Sequence, residues 1–89
     1  MKNTTENDAF PMFLAHRIEP ERNMARFYLM AIETNLFGET CLRRNWGRIG
    51  TRGRCLEEIF ADTASAEQAM TALAKAKRRR GYRVAGEVL

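Results

Sequence analysis

One histidine (His16), one serine (Ser65), two cysteines and two aspartates are all that this 89-residue chain holds of the side chains that most often carry covalent or acid–base chemistry. No Ser-His-Asp triad and no two-metal carboxylate cluster can be assembled from so few. Adjacent Glu57 and Glu58 point to opposite faces of an extended strand, which disqualifies them as a general acid/base pair. Two cysteines without C-x-x-C spacing, plus His16, do not make a four-ligand zinc site within one chain, so neither metal nor cofactor is expected. In a hairpin turning between Thr51 and Arg52, Cys41 and Cys55 fall several residues out of register, and their Cα atoms lie beyond the ~7 Å that a disulfide spans. Free thiols fit a reducing, cytoplasmic setting. No uncharged run approaches the roughly 18 residues that cross a bilayer. The opening "MKNTTENDAF" has neither the apolar centre nor the cleavage site of a signal peptide. A non-enzymatic, cytoplasmic protein is therefore expected.

What is present makes one domain. A chain this short buries only about 60% of its unfolded surface around a single core, and 45% hydrophobic with 29% charged residues is an ordinary globular composition. Residues 1–9 read as a disordered polar tail and 10–89 as the domain. From Met12, apolar residues alternate: Met12, Leu14, His16 and Ile18 on one strand face, Phe13, Ala15 and Arg17 on the other. A turn follows at "EPERN". Ala25 to Thr34 is apolar on both faces, as in a central strand covered on both sides. "NLFGE" makes a turn, and Thr40 to Ile49 is extended. Beyond the Gly50 to Gly53 loop, Arg54 to Ala61 forms another strand.

The period then lengthens to 3.6 in "DTASAEQAMTALAKAKRRRG". Ser65 can cap this helix with Gln68 as its capping-box partner, Glu67 favours the positive end of the dipole, and Gly81 can terminate it. Ala66, Ala69, Met70, Leu73 and Ala76 make a narrow stripe suited to close packing on a sheet. A closing strand runs from Tyr82 to Leu89. The expected fold is α+β: an antiparallel sheet of four to five strands with one helix on one face.

Charge is unevenly placed. Net charge is +4, yet Arg43, Arg44, Arg48, Arg52 and Arg54 form one acid-free cluster, and Lys75, Lys77, Arg78, Arg79, Arg80 and Arg83 form another. Cations at a helix C-terminus complement its dipole, but that accounts for two or three of the second group and not for six. Clusters this dense suit an anionic partner. Within "NWGRIGTRGR", the extended pattern puts Arg44, Trp46 and Arg48 on one face. Trp46 then has two possible placements: packed into the core beneath the helix, or partly exposed to stack on a sugar or base at ~1–3 kcal/mol. Gly47, Gly50 and Gly53 permit close backbone approach. The stretch is not a P-loop, because it lacks the Lys-Ser/Thr ending.

"NWGRIGTRG", preceded by "LRRN" and followed by "FADTASAEQAMTALAKAKRRRGY", resembles the WGR domain, named for Trp46-Gly47-Arg48. The likeness covers about residues 12 to 85. WGR domains occur in DNA-damage-sensing poly(ADP-ribose) polymerases, in some large bacterial regulators and as short stand-alone bacterial proteins. The resemblance implies the same α+β fold and nucleic-acid binding. It also implies a Trp46 that stacks on a sugar at a DNA end, and an Arg48 whose counterpart couples DNA to a catalytic domain absent from this chain. The expectation is a sequence-independent DNA-binding module that favours duplex with ends or nicks. It would use Trp46, Gly47, Arg44, Arg48, Arg52 and Arg54, assisted by Lys75, Lys77, Arg78 and Arg79. The alternative is an adaptor whose basic surface docks an acidic protein.

Overall fold

A computed structural model describes residues 12–84. Strand β1 (Met12–Glu19) leads through a single 3-10 turn at Pro20–Arg22 into β2 (Met24–Thr34), followed by β3 (Thr40–Arg48) and β4 (Arg54–Phe60). Helix α1 (Thr63–Arg79) then returns the chain to a short β5 (Arg83–Val84). The sheet is antiparallel in the order β4-β3-β2-β1-β5, so α1 carries the chain from one edge of the sheet to the other. This is the α+β arrangement expected. The tail expected at residues 1–9, and the closing strand's last residues, lie outside the described span.

Pleat parity decides which face is buried. Phe13 and Ala15 of β1, Tyr28, Met30 and Ile32 of β2 and Leu42 of β3 point the same way and meet Ala66 and Met70 of α1, with Tyr82 closing the cluster. Ala15, Met30, Leu42 and Ala66 are completely buried. The small side chain at Ala66 lets the helix axis approach the sheet, and each large apolar group removed from water stabilises the fold by about 1.5–3 kcal/mol.

Several local expectations are corrected. The helix cap is Asp62 and not Ser65: its carboxylate accepts the Ser65 N–H at 2.8 Å, a charge-assisted bond at the positive end of the dipole that outcompetes a neutral hydroxyl. Helix α1 therefore starts earlier and Glu67 falls outside its first turn. The same bond holds the Asp62 carboxyl below its ordinary range. At the other end Gly81, at φ +98°, forms a Schellman cap: its N–H reaches the Arg78 carbonyl at 3.0 Å and the Tyr82 N–H reaches the Lys77 carbonyl at 3.1 Å. The β3–β4 hairpin is centred on Gly50, with Asn45 opposite Cys55 and Cys41 opposite Ile59. Both cysteines are free, Cys41 buried and Cys55 exposed. Strand β2 is central, but among the described residues a helix covers only one of its faces; Phe27, Leu29 and Ala31 on the other are half-buried. The dual apolar pattern reflected a hydrophobic second face, not a second layer of described structure.

Candidate nucleic-acid interface

Trp46 reconciles its two possible placements. It lies on the helix side of β3, directly opposite Tyr28, and is half-buried against the core. Its ring is stacked on that of Tyr28, centroids 6.1 Å apart and planes at 30°. Tyr28 is fixed from three directions. Tyr82 meets it edge-on at 6.2 Å, Lys77 Nζ sits 4.3 Å over its ring, and Arg44 Nη1 donates to its hydroxyl at 3.3 Å. The Schellman cap places Tyr82 beside Lys77, whose ammonium is also 5.6 Å from the Tyr82 ring. The indole thus rests on a buried aromatic platform held by two cations.

Beyond Trp46 the sheet runs out from under the helix, and its end forms a cleft of about 560 Å³. The 3-10 turn brings Arg22 and Asn23 to this cleft, β2 brings Arg26, and β3 with the following turn brings Trp46, Gly47, Arg48 and Gly53; Arg54 opens β4. Four arginines and no carboxylate line it. Arg26 and Arg48 are direct cross-strand neighbours, as are Trp46 and Arg54. Like charges so placed destabilise a strand pair, a cost that an anion between them reverses. Arg48 is aimed by Asn23, donating to its backbone carbonyl at 3.2 Å and its side-chain oxygen at 3.3 Å. Arg22 is paired with Glu19 at 3.2 Å, whereas neither Arg26 nor Arg54 has a carboxylate partner among the described residues.

The cleft wall depends on two glycines. A Cβ on Gly47 would stand 2.7 Å from Gly53 Cα, so the two backbones approach as only glycines allow. Asn45 clips the turn from the other face, its Nδ2 donating to the carbonyls of Arg52 at 3.1 Å and Arg54 at 2.6 Å.

Of the ten residues singled out in the sequence, Trp46, Gly47, Arg48 and Arg54 come together in the cleft. Arg44 lies outside the cleft, two residues before Trp46 on the same face of β3, its side chain 20% exposed and engaged by Tyr28 and by Glu58 at 3.4 Å. Arg52 is exposed at the hairpin tip and Arg79 at the end of α1. Lys75 and Arg78 border a different depression with Met12, Phe13 and Glu67. Lys77 alone turns from the helix toward the aromatic platform. Burial, then the neighbouring charges of Arg80, Arg44 and Arg26, push its amine below the ordinary lysine range. Lys77 and Arg44 meet on the same Tyr28, so one cation from each basic segment reaches the aromatic platform. Arg22, Asn23, Arg26 and Tyr28 were not anticipated. Among the described residues no group of three His, Cys, Asp or Glu could hold a metal, and no helix is long and apolar enough to cross a membrane.

A family model described as WGR domain matches residues 12–88. The chain is 51% identical over 67 residues to the protein named y4dW of Sinorhizobium fredii, strain NBRC 101917 / NGR234, a match covering 75% of this chain and 33% of that one. The chain thus spans about a third of the length of that relative. No solved structure matches.

Proposed function

The chain belongs to the WGR domain family, and from that premise we propose that it is a non-enzymatic module that binds duplex DNA in the cytoplasm without regard to sequence, favouring ends or nicks. One observation carries the reading: an acid-free cleft with four arginines around a half-exposed tryptophan. Guanidinium groups fork onto phosphate oxygens, and the free part of the indole offers a flat surface to a sugar or base left unstacked where a strand stops. Trp46, Gly47, Arg48 and Arg54 make these contacts with Arg22 and Arg26. Arg44 acts from outside the cleft by holding Tyr28, while Arg52, Lys75, Lys77, Arg78 and Arg79 add attraction at longer range. Contacts of this kind go to the backbone and read no base edges, which is why the binding is independent of sequence.

Because Trp46 is the only tryptophan, intrinsic fluorescence reports on this site alone. Titration with nicked duplex, blunt duplex and single strands should quench it most with duplexes that present an end or nick, and less at higher salt. Trp46→Ala should lower affinity roughly ten- to hundredfold while the chain still folds. Silence toward every nucleic acid, with a response to poly-glutamate, would establish the adaptor reading in its place.

A further inference from the structure

The face of the sheet turned away from α1 carries an apolar patch over β1 and β2, and no described element covers it. Leu14 and Ile18 of β1, Phe27 and Leu29 of β2 and Ile59 of β4 point to it by strand parity, as does Met12, which at the start of β1 also borders the depression beside α1. Met12, Ile18 and Ile59 are 67%, 58% and 54% exposed. Its strand positions balance two cations against two acids: Arg43 is paired with Glu33 at 3.3 Å and lies directly opposite Glu57, while Arg83 of β5 stands opposite His16. The helix side, by contrast, carries Arg26, Arg48, Arg54 and Lys77 without matching acids. We propose that this outer face is where a second copy of the same chain packs, sheet against sheet, in a two-fold symmetric dimer.

Three considerations select a second copy as the occupant. Two copies repel each other through their helix sides and can approach closely only through the near-neutral face. A five-stranded face with strands ~4.8 Å apart measures on the order of 600 Å² before side-chain relief is counted, close to the ~800 Å² per partner of a specific interface. The apolar patch spans β1 and the middle strand β2, so a two-fold axis through it lays each copy's patch on the other's, and sheets pack face to face at ~10 Å with strands about 30° apart. In the dimer both arginine clefts stay outside.

Sedimentation equilibrium of the full chain without nucleic acid tests this independently of the DNA reading. Twice the chain mass is expected, at low and high salt alike. Met12→Glu/Ile18→Glu changes two exposed side chains, so each chain should keep its circular dichroism. The dimer dissociation constant should rise on the order of a hundredfold, since each lost apolar contact counts twice about the axis; Ile59→Glu on the far strand should weaken it in the same direction. Leu36→Ser/Phe37→Ser, at the exposed β2–β3 turn and off this face, should leave the mass unchanged. A monomer at every concentration would overturn the proposal. So would a dimer that survives Met12→Glu/Ile18→Glu and Ile59→Glu, or one that dissociates with Leu36→Ser/Phe37→Ser.

Discussion

Lys77 sits between opposing demands. Its ammonium gains from the Tyr28 and Tyr82 rings, yet burial and the nearby Arg80, Arg44 and Arg26 lower its affinity for a proton. For a base with a lowered folded value, the unfolded chain binds the proton more tightly. The resulting stability is therefore present above the ordinary lysine value of 10.5 and is lost as pH falls through the lowered one. At neutral pH the charge is thus a burden that a nearby phosphate would relieve. Lys77→Met, which keeps the packing and removes the charge, should hold or raise Tm at neutral pH, flatten the rise in stability on the alkaline side, and weaken DNA binding. Thermal melts from neutral to alkaline pH, with paired titrations, check all three. Arg26 makes the same trade more openly, because it faces Arg48 across the strand pair. Arg26→Thr should raise Tm by a few degrees and lower affinity, the signature of a residue kept for a ligand rather than for the fold.

The β3–β4 hairpin is the element on which the cleft depends. A Cβ on Gly53, already at φ +68°, would run into the Trp46 carbonyl and come within 2.9 Å of Phe27 Cζ. Gly53→Ala should lower Tm on the order of 10 °C and shift Trp46 emission. Gly50→Ala, at φ +96° but with nothing within 4 Å, should cost less; comparing the two melts separates collision from backbone strain. This hairpin also marks how far the sequence could be read. Its strands and the Trp-Gly-Arg face were legible from parity, but three glycines at equal spacing define no unique turn centre. The deciding contact, Asn45 reaching the carbonyls of Arg52 and Arg54, spans the strands and leaves no local signature. Arg26 was within reach: the "NLFGE" turn is centred on Phe37, and folding the chain there puts Arg26 opposite Arg48. So was the inward turn of Lys77, four residues beyond Leu73 and seven beyond Met70 on the apolar stripe. The contribution of Arg22 was not, since it depends on a 3-10 turn that ends with Asn23 in the left-handed region at φ +53°.

Across the whole molecule, the antiparallel topology gathers the 3-10 turn and the β3–β4 hairpin at one end of the sheet and sends the Leu36–Phe37 turn to the other. Cations are concentrated at the first end and on the helix side, and the outer face is nearly neutral. Such an arrangement makes affinity a question of how many phosphates reach cations at contact distance, which salt dependence counts. Arg22, Arg26, Arg48 and Arg54 converge on one cleft, whereas Lys75 and Arg78 border a separate depression. If only the cleft arginines neutralise phosphates, log K should fall with log salt at a slope of about −3.6, since each phosphate contributes about −0.9. A fourfold rise in salt then weakens binding on the order of a hundredfold. Alanine at any one of the four should flatten the slope by about 0.9, while Lys75→Ala should reduce affinity slightly and leave the slope in place, because a charge acting at longer range steers the encounter without releasing a condensed counterion. A slope near −7 would instead mean that the helix end lies directly on the duplex beside the cleft, with DNA spanning both depressions.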